Sequence, residues 1–296
     1  MFGLLNIDKP VGWSSRDVVN RVERLVRPAK AGHAGTLDPL ASGVLVVCMG
    51  PATRLIEYVQ RMPKEYRATF LLGRSSASDD LETDVVELVD APQPRLAEIE
   101  AALPRFVGTI QQRPPAYSAL KVEGRRAYQL ARRGDAPELA ARPVDIYSLA
   151  VERYEYPELQ LAIRCGGGAY VRSLGRDLAE ACGTVAVMSA LERTAVGGFR
   201  VEDALAGRLI TQCDLSAHLL SPLAAAVDLP RVTLTADQVA RAQRGDLFRV
   251  EEFGESSPGA GTPRLAAVDE RGLLVALLKE ARPGLLKPSP NFLQAE

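Results

Sequence analysis

At 296 residues, 47% hydrophobic and 25% charged, the chain has the make-up of an ordinary globular protein able to bury one large core, or a large and a small one. No uncharged apolar run approaches a membrane span, since the segment after Asp38 meets Pro51 and then Arg54. The 36 basic and 37 acidic residues leave a net charge of −1, which argues against a uniformly basic nucleic-acid binder but not against segregated charge. Residues 2–7 read as a first strand rather than a signal peptide, because an acid and a lysine follow at once and no basic leader or cleavage site is present. Lys9-Pro10-Val11-Gly12 stops that strand, and Ser14 with Asp17 three residues on is a helix-start signature. Val18, Val19, Val22, Leu25 and Val26 form the apolar stripe of the helix, which Pro28 ends.

Residues 32–43 (GHAGTLDPLASG) fit neither a helix nor a strand. Three glycines and a proline break both periods, and the segment is expected as a loop between the helix and a buried strand at 44–48. A short loop held between two core elements can present one side chain with little freedom. Asp38 is the only acid in it and His33 its only other ionisable group. Pro51 opens a further helix carrying Leu55, Ile56 and Val59. Tyr66, Ala68, Phe70 and Leu72 alternate with polar neighbours, so residues 64–73 are expected as a strand with one buried face, and 85–89 as its antiparallel partner. Then come a helix at 96–103, a strand at 117–121 after Pro114-Pro115, and a basic helix around Tyr128. Strands at 144–154 and 159–165 lead to the triple glycine 166–168 and a helix carrying Tyr170, Val171, Leu174, Leu178 and Ala181.

The fold class is therefore α+β, with a mixed, largely antiparallel sheet flanked by helices. Residues 222–230 read as a hinge, dividing the chain into domains 1–228 and 229–296. The second is a small β-rich module with a loop at 255–263 and strands near 265–268 and 273–278. Cys48, Cys165, Cys182 and Cys213 form no paired motif and are expected as free thiols in a reducing cytoplasm. Charge is segregated. Residues 121–133 hold five bases against Glu123, residues 16–30 five bases against Asp17 and Glu23, and residues 79–90 six acids without a base. Solvated helix faces and an acidic loop account for this as well as an RNA-facing side does.

Five stretches in order, NIDKPVGW (6–13), GHAGTLDPLASG (32–43), KEYRATF (64–70), YSALK (117–121) and GAYVRSL (168–174), resemble the bacterial tRNA pseudouridine-55 synthases, the TruB family. The resemblance covers about the first 230 residues, and the end, LLKPSPNF, is similar to the PUA-type RNA-binding module that follows in that family. It implies the pseudouridine synthase fold and isomerisation of a uridine in the T loop of tRNA. The glycosidic bond breaks, the base turns, and C5 joins the ribose. Because no leaving group is released to solvent, one carboxylate suffices where a glycosidase needs two. By resemblance Asp38 is the catalytic acid, whether it attacks ribose, attacks the base or promotes glycal formation. Arg172 is its partner, expected to keep the semi-buried carboxylate ionised, its charge lowering the pKa and offsetting desolvation. Tyr66 stacks on the extruded base, His33 enters the T loop in the base's place, Asp80 and Leu191 help bind substrate, and Lys9 and Tyr170 occupy motif positions with architectural roles. Departures are the missing glycine after Asp79-Asp80, Val187 where a histidine is frequent, and Glu192 before Arg193 where two arginines are common.

A non-catalytic tRNA-binding module and a glycoside-type hydrolase are the competing readings. Nothing in the sequence suggests a metal or other cofactor, and two histidines make a poor metal set. The triple glycine lacks a nucleotide-binding pattern, so a tight strand-to-helix connection is expected there. The expected partner is the T arm of tRNA, read by shape so that an isolated stem-loop is a substrate. A cytoplasmic monomer away from membranes is the expected state.

Overall fold

The computed structural model describes residues 2–118, 120–122, 124–135, 137, 139–256 and 264–292. The elements of the first part are β1 (Gly3–Lys9), α1 (Ser15–Val26), β2 (Ala31–His33), β3 (Ser42–Met49), α2 (Ile56–Arg61), β4 (Lys64–Leu72), β5 (Arg74–Ser75), β6 (Val86–Glu87) and α3 (Leu96–Ala102). After these come β7 (Gly108–Gln112), β8 (Lys121–Val122), β9 (Arg125–Arg126), α4 (Ala127–Ala131), β10 (Arg142–Glu155), β11 (Glu158–Cys165), α5 (Val171–Ala181), β12 (Ala186–Val196), β13 (Phe199–Arg200) and β14 (Leu205–Ala206). The last part holds β15 (Arg231–Thr233), α6 (Ala236–Arg244), β16 (Phe248–Arg249), β17 (Leu265–Val268), β18 (Leu274–Arg282) and β19 (Leu285–Asn291).

A ten-stranded sheet runs β14-β1-β3-β12-β4-β11-β10-β7, with β2 beside β3 and β13 beside β12. Only β1 with β14 and β3 with β12 pair in parallel, so the sheet is mixed and largely antiparallel as expected. β3 is apolar on both faces because both are covered. Val44, Val46 and Cys48 enter one core cluster and Leu45, Val47 and Met49 another. Helix α1 lays Val18, Val19, Val22 and Val26 on the second cluster. Ser14 and Asp17 form the reciprocal cap that the sequence announces. Leu25, expected in that stripe, is instead exposed, at the edge of the buried arc. Helices α3 and α5 cover β4, β10, β11 and β12 with Ile99, Leu174 and Leu178.

Four expectations change. Residues 32–43 do not begin as a loop, since β2 pairs His33 with Val47 of β3. Residues 85–89 do not pair with β4, whose two edges are filled by β11 and β12. Val86 and Glu87 pair instead with Ser75 and Arg74 in an exposed ribbon. Residues 117 and 118 are bent, and the strand there is limited to β8. The proposed hinge is a packed connection: Ala225 and Ala226 are buried in the cluster that also holds Leu55, Leu274 and Phe292.

Beyond it a five-stranded sheet, β15-β17-β18-β19-β16, is antiparallel except for β15 with β17, and α6 accompanies it. This is the small β-rich, PUA-like module. From residue 257 on, the loop expected at 255–263 lies outside the described residues. Among the described residues no helix is long and apolar enough to cross a membrane.

Candidate active site

A cleft of about 760 Å³ opens where the loop 35–38, β4 and β12 meet the start of α5, and Asp38, Tyr66, Tyr170, Arg172, Leu191 and Arg193 line it. The loop that carries Asp38 is fastened by the first motif. Ser15 Oγ accepts from Leu37 N at 2.8 Å and donates to Leu37 O at 3.0 Å. Gly12 N donates to Pro39 O at 2.8 Å, and Gly43 N to Asp8 Oδ1 at 3.1 Å. Lys9, fully buried, shapes the turn above by donating to Trp13 O at 2.6 Å and Pro10 O at 3.1 Å. Burial pulls its pKa down to about 8, against the attraction of Asp38.

Helix α5 presents Arg172 from its first turn. The helix lies so close to β4 that a Cβ on Gly175 would stand 1.9 Å from Phe70 Cε1, and only glycine allows that approach. The Arg172 side chain is 5% exposed. Nη2 lies 3.0 Å from Asp38 Oδ2 and Nη1 3.3 Å from Asp80 Oδ2, while the carbonyls of Ser78 and Tyr117 each accept at 2.9 Å. One planar fork thus orients a carboxylate that is 38% exposed, while a second carboxylate, 2% exposed, backs it. Asp80 itself is held by its turn, where Oδ1 accepts from Glu82 N at 2.9 Å.

At Asp38 the attraction of Arg172 works against burial as expected, and burial is the larger of the two. Burial raises its pKa above the usual carboxylate range, and Arg172 offsets this only in part, with Asp80 and Glu82 acting on the same side as burial. The guanidinium orients the acid and limits the shift without reversing it. Tyr66 is likewise held neutral, because burial raises its pKa more than neighbouring Arg193 lowers it. His33 is pushed down by burial and by Arg193, so its ring is neutral near pH 7.

Residues 23–171 match the family model described as TruB family pseudouridylate synthase (N terminal domain). The chain belongs to the TruB family. Among relatives, it is 43% identical over 273 residues to "tRNA pseudouridine synthase B" of Gluconacetobacter diazotrophicus, covering 90% of this chain and 89% of the other. To the protein of the same name from Arthrobacter sp. it is 39% identical, covering 97% and 95%. Among solved structures, a chain of a Cbf5-Nop10-Gar1 complex superposes with a TM-score of 0.73 at 28% identity, over 94% of this chain and 78% of that one. A chain of an H/ACA RNP bound to a substrate RNA containing 2'-deoxyuridine gives 0.72 at 25% identity, over 99% and 86%.

Of the residues that the TruB resemblance singles out, Asp38, Arg172, Tyr66, Tyr170 and Leu191 come together in the cleft. His33 stands on β2 two residues before Gly35, which lines the cleft, and among the described residues its buried Nδ1 has no hydrogen-bond partner. Asp80 and Lys9 do not reach the cleft. Both are buried beneath it and act on its parts, Asp80 on Arg172 and Lys9 on the turn after β1. Sequence reasoning missed Gln112, whose amide clamps Tyr170, accepting from its N at 2.7 Å and donating to its O at 3.1 Å. Ser118, 3% exposed, lines the cleft with a hydroxyl that has no partner among the described residues. Lys64 donates to the carbonyls of Met62, at 2.6 Å, and Gln60, closing the end of α2. The YSALK stretch could have flagged Ser118, but nothing marks Gln112 before the fold brings residues 112 and 170 together. The two opposite charge runs also meet, through an ion pair between Arg132 and Glu82.

Proposed function

We propose that this chain isomerises uridine-55 in the T loop of tRNA to pseudouridine, with Asp38 acting on a uridine swung out of the loop. The observation that carries it is the 3.0 Å pair of Arg172 with a half-exposed Asp38 in a cleft flanked by an aromatic ring and an apolar wall. In this reading Asp38 supplies the carboxylate at the reacting sugar or base. The C1'–N1 bond breaks, the uracil turns within the cleft, C1'–C5 forms, and the proton on C5 is replaced by one on N1. Tyr66 offers the ring face on which an extruded base rests, and Leu191 the opposite wall. Arg172 orients Asp38, Asp80 orients Arg172, and Tyr170 closes the edge of the site. His33, neutral and two residues before the cleft-lining Gly35, fills the place the base leaves. Residues 1–228 are the catalytic domain and 229–296 a PUA-like RNA-binding domain. The chain works as a cytoplasmic monomer, and none of these roles calls for a metal.

A second cleft, of about 800 Å³, supports a wider RNA contact. It is lined by Arg27, Lys30 and Arg54 with no acid, and lies between the first part of the chain and Asn291-Phe292. Among the described residues none of these three cations forms an ion pair, and Arg54 Nη1 donates only to the Asn291 carbonyl at 3.1 Å. Such cations favour phosphates. The relatives' shared name, tRNA pseudouridine synthase B, agrees with this reading.

Incubating the protein with an unmodified tRNA transcript and locating pseudouridine by sequencing tests the proposal. Product at uridine-55 is expected, from the whole tRNA and from an isolated T stem-loop. Product only elsewhere would overturn the site of action. Steep salt-dependent binding without product would favour the binding module, and free uracil the hydrolase.

A further inference from the structure

We propose that Arg193 is the positioning residue that holds the Asp38 loop and Tyr66 together as one rigid unit. Arg193 sits on β12 directly opposite Tyr66 of β4 and beside Gly43 of β3. It is 2% exposed, and its hydrogen bonds run to uncharged oxygens. Nε donates to Val44 O at 2.7 Å and Nη2 to Gly35 O at 3.2 Å, and the guanidinium lies near enough to the Tyr66 hydroxyl to pull its pKa down against burial. Gly35 and Val44 are the two ends of the segment that carries Asp38. One side chain therefore fastens both ends of that loop and the ring that faces the base. Contact at the second end is backbone on backbone: a Cβ on Gly43 would lie 2.2 Å from the Arg193 carbonyl oxygen.

The electrostatics point the same way. Arg172 is shared between two carboxylates, whereas Arg193 forms no ion pair among the described residues. Burying a guanidinium without a counter-charge is costly, and an apolar side chain of like volume would serve the core as well or better. What an apolar side chain cannot supply is a planar set of donors aimed at both ends of the loop, with its charge beside Tyr66. Lys9 and Lys64 are also buried on carbonyls, but each ties down one local turn. Arg193 alone spans the loop and β4, so its loss would let Asp38 and Tyr66 move independently.

The proposal rests on reading the cleft as the site of uridine isomerisation, so two readouts are taken, only one of which needs activity. The first is the single-turnover rate of pseudouridine formation, beside tRNA affinity. The second is amide hydrogen exchange of residues 36–42. For Arg193→Met the melting temperature is expected to hold or rise and tRNA affinity to stay unchanged. The rate should fall about 100-fold, the size of effect that follows a displacement near 1 Å, and exchange in 36–42 should quicken while other segments keep their protection. Arg193→Lys, which retains the charge but not the fork, should show a smaller loss in both. A wild-type rate and wild-type exchange in Arg193→Met would overturn the proposal, as would faster exchange spread over the whole chain. Should Arg193→Met not fold, Arg193→Lys decides alone: wild-type rate and exchange would overturn the role, a local loss in both would support it. An inactive wild-type protein would sink the functional reading, while the exchange result would still decide the role of Arg193.

Discussion

The floor of the Asp38 cleft and the joint between the two sheets are both buried, but they are made of different material. In the joint, Phe2 stacks on Phe292 with ring centroids 5.6 Å apart, over Leu55, Ala225, Ala226, Leu274 and Leu277. In the floor, Lys9, Asp80, Arg172 and Arg193 are each at most 5% exposed, and their contacts are hydrogen bonds and ion pairs of defined direction. Apolar burial is non-directional and stabilises in proportion to area. Buried charge costs free energy and leaves orientation in exchange. The joint therefore carries stability, and the floor carries the geometry of one carboxylate.

The largest effect should come from removing the fork. Arg172→Ala leaves Asp80 buried without its cation, and urea unfolding should show a loss of about 3–5 kcal/mol together with loss of activity. A loss below ~1 kcal/mol, no larger than an exposed pair is worth, would break the contrast from the side of the floor. Next is Phe292→Ala, which should cost about 3 kcal/mol while the rate per folded molecule stays at wild type. A comparable drop in that rate would show that the joint also sets the site's geometry. A smaller effect follows from the raised pKa of Asp38. Below the unfolded-state value both states are protonated. As pH rises through the gap the native state keeps a proton that the unfolded chain gives up, so stability falls, and above the folded value the whole cost is present. Asp38→Asn should thus melt at or above the wild-type temperature at pH 7, with the difference fading at acid pH. The wild-type rate should fall with acid at a pH above the usual carboxylate value of about 4. Lower thermal stability of Asp38→Asn at pH 7 would contradict that sign. Smallest is the second cleft, where Lys30→Ala and Arg54→Ala should each reduce the slope of log affinity against log salt by about 1 with the single-turnover rate unchanged.

The same contrast explains what could be read from the chain. The cap at Ser14, the doubly buried run of β3 and the alternation of β4 rest on local pattern and were legible. Strand β12, which brings Leu191 and Arg193 to the cleft, was not. Irregularities between Met188 and Ala190 and between Arg193 and Ala195 break its period of two. Strand β19 carries Pro288 and Pro290, which read as breakers. It tolerates them because its neighbour β16 pairs only as far as Leu285 and Leu286. In the cleft, the meeting of Asp38, Arg172 and Tyr66 was legible through their motifs. The burial of Asp80 behind Arg172 and the span of Arg193 depend on strand register and loop closure, which no local pattern encodes. For Asp38 the opposing pull of burial and Arg172 was legible, but which of the two is larger was not.

The most direct measurement is single-turnover pseudouridine formation in unmodified tRNA by the wild-type protein and by Asp38→Asn, with tRNA binding measured beside it. Product from the wild type, none from Asp38→Asn, and equal binding by both is the expected result. Equal product from both would contradict the assignment of the chemistry to Asp38.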